Sequence, residues 1–345
     1  MFRIMLASLR DMTETSLYEM LREKYQVGDH FIAAYLTGSF GTPHVDMPTF
    51  DQKLASTPNQ AIWTDYALST NRRGRGFAAL LRPHFPPNAR RYLDVGSAYG
   101  GFLIGFMELG LDVKGVEYNE KFVQMSRANF QDYGREDASI VGDILDPALL
   151  AQLGRVDIIT CIDVIEHVKD VPAAMRNMVG LLNPGGILVL LMPNRDSISN
   201  VMSDPHFGLF GLTLLKHDQA RELYGFRFSQ RDMYDVGEFF DQAHYLSLLR
   251  GLGCEAQALP PAVPTTLRNT ARLLPRFLRR WLGFVVDRRL ALPLALRLNV
   301  ALRALLHLGG FVVQLALAVP LRSRRPALKV KYADDAWFLV GKRKG

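Results

Sequence analysis

Between Arg91 and Asn194, short apolar segments alternate with helical stretches, and this alternation restricts the fold more than any other feature of the chain. The apolar segments are RYLDVG, DVKGVEY, ASIVGDI, VDIITCIDV and GGILVLLMPN. Near-continuous apolar strands separated by helices are typical of a parallel sheet that is covered on both faces. The sequence therefore predicts an α/β fold.

The residues before this segment, 1–88, are predicted to form a helical extension. Ser16 and Glu19 have the spacing of a capping box. Gly, Pro and Thr residues predict a loop over 38–58, and one helix is predicted over 61–85 before a Pro-Pro pair. The N-terminus has a short apolar patch interrupted by arginines and no small-residue cleavage pattern, so no secretory signal is predicted.

After Asn194 a long connection leads to a helix in DVGEFFDQAHYLSLLRGLG, a strand in CEAQALP and a last strand in DAWFLVGKRKG. A chain of 345 residues can hold one large domain with additions or two modest domains. Its two cysteines, Cys161 and Cys254, lie in apolar strand-like segments. They predict neither a disulfide framework nor a zinc cluster, and they favour a reducing, cytoplasmic setting.

The net charge of +7 is distributed unevenly. Residues 261–331 contain fourteen Lys or Arg and one acid, a net charge of +13, which leaves +7 − 13 = −6 on the rest of the chain. This basic segment is also the most apolar. Arginine combined with Leu, Val, Ala and Trp favours an anionic lipid surface over nucleic acid, whose binding surfaces more often mix basic residues with Gly, Ser and exposed aromatics.

The stretch YLDVGSAYGGFLIGF places Asp94, Gly96, Ala98 and Gly100 in a strand–turn–helix context. Glycines let the backbone turn sharply and approach a nucleotide-like ligand, and the start of the helix supplies free N–H groups. The same pattern is compatible with a tight turn in any Rossmann-like sheet. The motif alone therefore does not distinguish a cofactor site from a structural turn.

Acidic residues at the following strand ends favour the cofactor site. Glu117 ends the second strand, 23 residues after Asp94, which is close to the spacing of an acid that binds ribose hydroxyls. Asp143 ends the third strand, and Asp163 begins the cluster after the fourth. Ligands bind at the carboxyl ends of the strands in this architecture. The sequence thus predicts a nucleotide-like ligand at this edge.

With these motifs in order, the segment from about Arg91 to Asn194 resembles the class I S-adenosylmethionine-dependent methyltransferases. LDVGSAYGG resembles the glycine motif of the family, and VDIITCIDVIEHV followed by LLNPGGILVLLMPN resembles the subgroup that includes ubiquinone-type O-methyltransferases. The resemblance implies a Rossmann-like, doubly wound, mostly parallel seven-stranded sheet with an antiparallel last strand. The core is then expected over 89–260 plus 331–345, with a basic apolar helical insertion over 261–330.

The resemblance also implies a set of cofactor contacts, with S-adenosylhomocysteine as the product. The positions expected to bind the cofactor are Asp94, Gly96, Ser97, Tyr99, Gly100, Glu117, Tyr118, Gly142, Asp143, Ile144 and Asp163. Within this set, Glu117 is expected at the ribose, Asp143 and Ile144 at the adenine, and Asp163 at the methionyl end. Ala98 stands where the family most often has glycine, and its methyl group is expected to narrow the approach without preventing binding.

Two histidines are candidates for the base that an oxygen acceptor requires. His206 lies in the long loop after the fifth strand, although it could instead order that loop through backbone hydrogen bonds. His167 is the second candidate, although after Glu166 it could also cap a helix or orient its neighbours. Asp163, Glu166 and His167 match an acid-x-x-Glu-His pattern that is associated with a divalent cation in some ubiquinone-type relatives. A cofactor contact together with helix capping is the preferred interpretation of these residues. No metal is therefore predicted.

The basic apolar segment ends in the run ALLHLGGFVVQLALAVPLRSRR, residues 304–325, which is long enough to span a membrane. Because a strand-like segment follows it, the run is expected to leave the sheet and return. Arginines recur every three to four residues from Arg268 to Arg280, and Pro275 and Pro293 divide the helical region. The segment is therefore predicted to dock on an anionic membrane surface, with a lid, a dimer interface or a re-entrant hairpin as alternatives.

The leading hypothesis is an S-adenosylmethionine-dependent methyltransferase, cytoplasmic and peripheral on the inner face of a membrane. Its acceptor is expected to be hydrophobic or lipid-linked: an isoprenoid or quinone-type phenol, or a lipid-carried sugar, with methylation on oxygen and no nucleic acid partner. One alternative is a soluble glycan or small-metabolite methyltransferase with a dimerising insertion. The other is a non-catalytic cofactor-binding membrane adaptor.

Overall fold

A computed structural model of the chain describes residues 16–56, 60–229, 233–261, 265–287, 292–318 and 320–345. Contacts divide the chain into two compact units, one ending at Ile159 and the other beginning at Thr160. The prediction for the first fifteen residues lies outside the described residues. The division falls within a strand, and the domain boundaries predicted from the sequence stay a prediction.

The first unit contains eight helices and the first strands among its described residues. The helices are α1 (Leu17–Tyr25), α2 (Asp29–Phe40), α3 (Met47–Ala55), α4 (Gln60–Leu68), α5 (Thr70–Leu81), α6 (Gly101–Met107), α7 (Glu120–Gln131) and α8 (Pro147–Leu153). The strands are β1 (Arg91–Val95), β2 (Asp112–Glu117) and β3 (Ser139–Val141), followed by β4 (Val156–Ile162), which ends in the second unit.

The second unit contains the remaining three strands and carries the insertion. Its helices are α9 (Val171–Leu181), α10 (Ile198–Met202), α11 (His217–Phe228), α12 (Gln242–Gly251), α13 (Leu267–Ala271), α14 (Leu274–Val286), α15 (Leu294–Ala318) and α16 (Arg325–Tyr332). Its strands are β5 (Leu182–Pro193), β6 (Cys254–Leu259) and β7 (Ala336–Arg343). Short 3-10 turns occupy Arg82–His84, Ile165–His167, Leu212–Leu214 and Arg322–Arg324.

The strands form one seven-stranded sheet in the order β3-β2-β1-β4-β5-β7-β6. β1 pairs in parallel with β2, and β2 with β3, whereas β7 runs antiparallel to both β5 and β6. The predicted fold class is confirmed, including the antiparallel last strand. The insertion also lies where the sequence placed it, between β6 and β7.

The helical extension differs from the prediction at two places. Met47–Ala55 is a helix within the region predicted to be a loop, and it begins where the Asp46 carboxylate accepts the Thr49 N–H at 2.8 Å. Pro48 lies in the first turn, where a missing N–H costs nothing. The single helix predicted over 61–85 is two helices, α4 and α5, which are divided at Ser69. The Ser16–Glu19 capping box is confirmed.

Within the first unit the extension packs on the helix that follows β2. The Asp132 carboxylate, at the end of α7, accepts the backbone N–H groups of His30 and Phe31 at 2.9 and 3.0 Å and so caps α2. Asn71 of α5 and Asn129 of α7 exchange side-chain hydrogen bonds in the core. The extension is therefore part of the framework around the glycine turn.

Within the second unit the insertion shares one hydrophobic core with the long connection after β5. Phe210 of the connection contacts Phe277 and Phe284 of α14 with ring centroids 5.5 Å apart in each pair. Val300 of α15 lies where a Cβ on Gly211 would come within 2.7 Å. The predicted helix over 235–253 forms only from Gln242, where Asp241 caps it through the His244 N–H.

Candidate active site

The glycine turn after β1 is held against β2 by its backbone. The N–H groups of Gly96 and Ser97 both donate to the Val116 carbonyl, at 2.7 and 3.1 Å. Gly96, Ala98 and Gly100 have φ values of +81°, +43° and +74°, which are in the left-handed region. Alanine in this conformation costs about 1–2 kcal/mol more than glycine would. The turn nevertheless holds Ala98, which stands where the family most often has glycine, in the left-handed region.

The Glu117 carboxylate lies at the centre of this turn and is almost fully buried. It accepts the Ala98 N–H at 2.9 Å and the Asn119 N–H at 2.8 Å, one on each oxygen. Because each carboxylate oxygen has capacity for a second donor, Glu117 can still accept two hydroxyl groups. The Ser97 hydroxyl is buried and has no hydrogen-bond partner in the structure. These unfilled acceptors and donors fit a ligand with a ribose diol and a polar tail.

The neighbouring strand ends lie in the same unit. The Gly142 N–H donates to the Glu117 carbonyl at 3.0 Å, which brings the end of β3 beside the end of β2. Asp143 follows, exposed, with one oxygen accepting the Leu145 N–H at 2.9 Å, and Ile144 is buried. Tyr118 is 80% exposed. An exposed aromatic ring, an apolar side chain and a carboxylate are suitable groups for a purine base.

The remaining predicted positions are a buried aspartate in the first unit, an exposed aspartate in the second and an aromatic residue on the turn. Asp94 is buried on β1. Asp163 lies in the second unit just after β4, with φ of +53° and its N–H donating to the Leu191 carbonyl at 2.9 Å. Tyr99 contacts Phe31 and Phe122, with centroids at 6.1 and 5.0 Å. Burial, with Tyr35 and Tyr66 nearby, raises the pKa of Tyr99 to about 12.

Arg73 of α5 is a residue that the sequence reasoning missed. Its guanidinium stacks 3.6 Å from the centroid of the Tyr66 ring and donates to the Tyr66 carbonyl at 3.0 Å, while its Nε is buried without a partner. Its positive charge also offsets part of the rise in the pKa of Tyr99. A half-buried cation beside the turn suits a carboxylate. The motif NRRGRG shows several arginines but does not indicate which one faces the turn.

A second group of polar side chains lies in the second unit around His206. The Nε2 atom of His206 is 3.7 Å from Oε1 of Glu166, and Nδ1 is 3.9 Å from Oδ1 of Asp204. Both distances exceed hydrogen-bond length. Glu166 is 1% exposed, and both of its carboxylate oxygens lack hydrogen-bond partners, as does Nδ1 of His206. A buried carboxylate with no partner is costly, so the arrangement favours a ligand group between Glu166 and His206.

The electrostatics of His206 follow from these two acids. Burial alone lowers the pKa of its imidazole, but the adjacent Glu166 and Asp204 carboxylates outweigh burial, so the pKa lies above its ordinary value of 6.5. Asp204 also fixes the loop, because its carboxylate accepts the N–H groups of His206, Phe207 and Leu209. These three contacts hold the loop through Asp204. The role of the His206 imidazole as a base stays a prediction.

The surroundings of His206 are aromatic. Its ring lies 5.0 Å from His167, 5.9 Å from Phe207 and 6.1 Å from Phe239. The hydroxyl of Tyr234, close by, is buried without a partner, and burial raises its pKa. Ligand atoms of Glu166, His167 and His206 all lie within 4.8 Å of one another, a spacing that also permits a cation. The expectation of no metal stays a prediction.

Comparison with known proteins identifies the family. A protein-family model described as a methyltransferase domain matches residues 68–259. The chain is 26% identical over 200 residues to a ubiquinone biosynthesis O-methyltransferase of Xanthomonas axonopodis pv. citri, covering 58% of this chain and 77% of that protein. It is 23% identical over 189 residues to the enzyme of the same name from Thiobacillus denitrificans, covering 54% and 74%. The family-model match ends at residue 259, before the insertion.

Solved structures include similar chains at low identity. The YcgJ protein of Bacillus subtilis is 14% identical with a TM-score of 0.44, over 79% of this chain and 99% of that one. The N-terminal domain of EvdMO1 with bound SAH is 18% identical with a TM-score of 0.41, over 56% and 77%.

The fold and the family match define a class I methyltransferase with a Rossmann-like sheet. The chain belongs to the methyltransferase domain family and is an enzyme that uses S-adenosylmethionine as its cofactor.

Proposed function

We propose that this enzyme methylates a hydroxyl oxygen of a hydrophobic or lipid-linked acceptor at the inner face of a membrane. The observation that best supports this proposal is that the loop bearing His206 packs in the same hydrophobic core as the basic apolar insertion. Arg280 of α14 donates to the Gly208 carbonyl at 2.9 Å, two residues from His206. The candidate base and the most apolar surface of the chain thus belong to one packed assembly.

The geometry of the first unit supports the cofactor roles that the family resemblance implies for Glu117, Ser97 and the segment after β3. Glu117 would accept the ribose hydroxyls, Asp143 and Ile144 would hold the adenine, and the Ser97 hydroxyl would meet the methionine portion. Arg73 is suited to its carboxylate. The remaining predicted contacts are Asp94, Gly96, Tyr99, Gly100, Tyr118, Gly142 and Asp163.

Bound S-adenosylmethionine supplies a methyl group that is already activated by the positive sulfur. The chain then has to hold the acceptor hydroxyl in line and remove its proton. Nε2 of His206 would accept that proton, and the Glu166 and Asp204 carboxylates, near Nε2 and Nδ1, would stabilise the imidazolium that forms. Aromatic rings around this group would contact an apolar acceptor, and the relatives named for ubiquinone biosynthesis favour a phenol over a lipid-carried sugar.

Glu117→Ala is expected to weaken S-adenosylhomocysteine binding about 100-fold, because the variant loses both ribose contacts and leaves the Ala98 and Asn119 N–H groups without an acceptor. Titration calorimetry measures the affinity. Glu120→Ala, an exposed change in the first turn of the next helix, is the matched control and should bind normally. Equal affinities for both variants and the wild type would remove Glu117 from the site.

The acceptor is tested with labelled methyl donor and two pools, a membrane lipid extract and a water-soluble metabolite extract. Incorporation into the organic phase supports the proposal, and incorporation only into soluble products supports a soluble glycan or small-metabolite methyltransferase. Binding of S-adenosylhomocysteine without transfer to either pool favours a non-catalytic adaptor. An acid- and base-stable methyl product in the lipid pool is consistent with an ether, the expected O-methyl linkage.

A further inference from the structure

The outer surface of the insertion is unusually apolar. Of the 22 large hydrophobic side chains that are exposed in the described part of the chain, twelve lie between Leu278 and Leu321. These residues belong to α14, α15 and the segment that follows. The exposed apolar area is therefore concentrated on one element, a distribution typical of an interaction surface.

The two helices divide their residues by face. On α14, Phe277 and Phe284 are buried, whereas Leu278, Leu282 and Val286 are exposed. The Trp281 indole donates to the Ala301 carbonyl at 2.9 Å and joins α14 to α15.

On α15 the same division continues for the length of the helix. Its buried residues include Val300, Ala304, Leu308 and Phe311, and its exposed residues include Leu298, Leu302, Leu306 and Val313. Leu282 and Leu302 directly follow Trp281 and Ala301, the two residues joined across the pair. Each helix therefore has one buried face and one exposed apolar stripe.

Positive charge accompanies these stripes. Exposed arginines lie on or just before α14 at Arg272, Arg276, Arg279 and Arg280. Asp287 is the only acid between residues 261 and 331. A second copy of the chain would bring two surfaces of the same sign together, which is unfavourable across a two-fold interface. Anionic phosphates complement this surface, and arginine is suited to binding them.

The inner face of α15 is anchored to the enzyme. Among the described residues α15 alone is long and apolar enough to cross a membrane. However, the Arg303 guanidinium donates to the Leu214 carbonyl at 3.2 Å, and Nε2 of His307 lies 2.8 Å from the Asp196 carbonyl. A spanning helix would lose these contacts and expose Arg303 to lipid. A helix with one packed face and one apolar face lies in the membrane plane.

We propose that α14 and α15 form a two-helix dock that lies in the interface of an anionic phospholipid bilayer, with their outer leucines in the acyl boundary and the arginines of α14 at phosphate level. This inference rests on the proposed function, because the dock would present a lipid-borne acceptor to the loop bearing His206.

The test is co-sedimentation of the full chain with vesicles of phosphatidylcholine containing 30% phosphatidylglycerol, compared with pure phosphatidylcholine. We expect at least about tenfold tighter binding to the anionic vesicles, reduced by 0.5 M salt. The triple variant Leu298→Ser, Leu302→Ser, Leu306→Ser should lose at least about tenfold in affinity. Ile62→Ser, an equally exposed change on α4, is the control and should bind like wild type.

Two further results would overturn the dock. Protein that resists carbonate extraction is spanning, and a dimer in sedimentation velocity that the triple variant abolishes identifies a second copy as the occupant.

Arg276→Gln with Arg279→Gln provides a milder variant, expected to weaken anionic vesicle binding severalfold, and S-adenosylhomocysteine affinity confirms folding for each protein. Lipid-extract methylation without vesicle binding rejects the dock alone, whereas vesicle binding with methylation of soluble products only rejects the proposed acceptor.

Discussion

Gly74→Ala is expected to destabilise the enzyme by about 3 kcal/mol and to weaken cofactor binding, although it adds one methyl group to a helix. A Cβ at Gly74 would lie 2.0 Å from the Gly101 carbonyl oxygen. Gly105 faces the same contact from α6, since a Cβ there would lie 2.5 Å from the Gly74 backbone. The backbones of α5 and α6 are in direct contact at this crossing, so no movement of a side chain can make room for the added methyl group.

The position of α6 explains the effect on binding. This helix begins directly after Gly100, the last residue of the turn that carries Ser97 and Ala98. An added methyl group must push α5 and α6 apart, and displacement of α6 moves the turn away from Glu117. We therefore expect S-adenosylhomocysteine affinity to fall together with stability.

Gly76→Ala is the matched control on the same helix. Its Cβ would have nothing within 4 Å, so the change should raise stability by roughly 0.5–1 kcal/mol through helix propensity. Thermal unfolding is expected to show a melting temperature about 4 °C below that of the wild type for Gly74→Ala and a slightly higher one for Gly76→Ala. Equal melting temperatures for the two variants would show that the crossing can relax.

The sequence was sufficient to predict the parts of the fold that depend on continuous segments. Alternating apolar strands predicted the parallel sheet, and DAWFLVGKRKG behind the apolar run predicted that the insertion returns to the sheet. The helix at Met47–Ala55 is not predicted, because Gly, Pro and Thr residues over 38–58 indicate a loop, whereas Pro48 lies in the first turn, where proline is compatible with a helix. The sequence over 61–85 does not indicate the break at Ser69, because glycine and proline, the residues that commonly interrupt a helix, are absent from the positions next to it.

The candidate site likewise has one part that the sequence predicts and one part that it does not. The turn and Glu117 could be predicted because strand, turn and acid follow one another along the chain. The group formed by Glu166, Asp204 and His206 could not, since the pairing joins residues some forty positions apart through a long irregular connection. The sequence pattern grouped Glu166 and His167 with Asp163, whereas the structure gathers their ligand atoms with His206. Tertiary packing, rather than local spacing, decides such clusters.

His206→Ala is expected to lower kcat by about 100- to 10,000-fold, the usual contribution of a positioned general base. S-adenosylhomocysteine affinity should be unchanged, because none of the proposed cofactor contacts involves this residue. His44→Ala, which replaces an exposed histidine in the first unit, is the control and should retain full turnover. If His206→Ala has unchanged turnover and His167→Ala shows the 100- to 10,000-fold fall in kcat instead, His167 is the base.

The pH dependence provides an independent test of the same assignment. Only neutral imidazole can accept a proton, and the Glu166 and Asp204 carboxylates hold the pKa of His206 above 6.5 despite burial. The rate should therefore fall as the pH is lowered through that raised pKa, with an acid limb centred above 6.5 in the profile of kcat/KM. Glu166→Gln removes the nearer negative charge with little change in shape, so it should lower the pKa of His206 and move the acid limb to lower pH. A limb that does not move in this variant would mean that the group it reports is not His206, because no other charge lies closer to Nε2 of that imidazole than Glu166 among the described ion pairs.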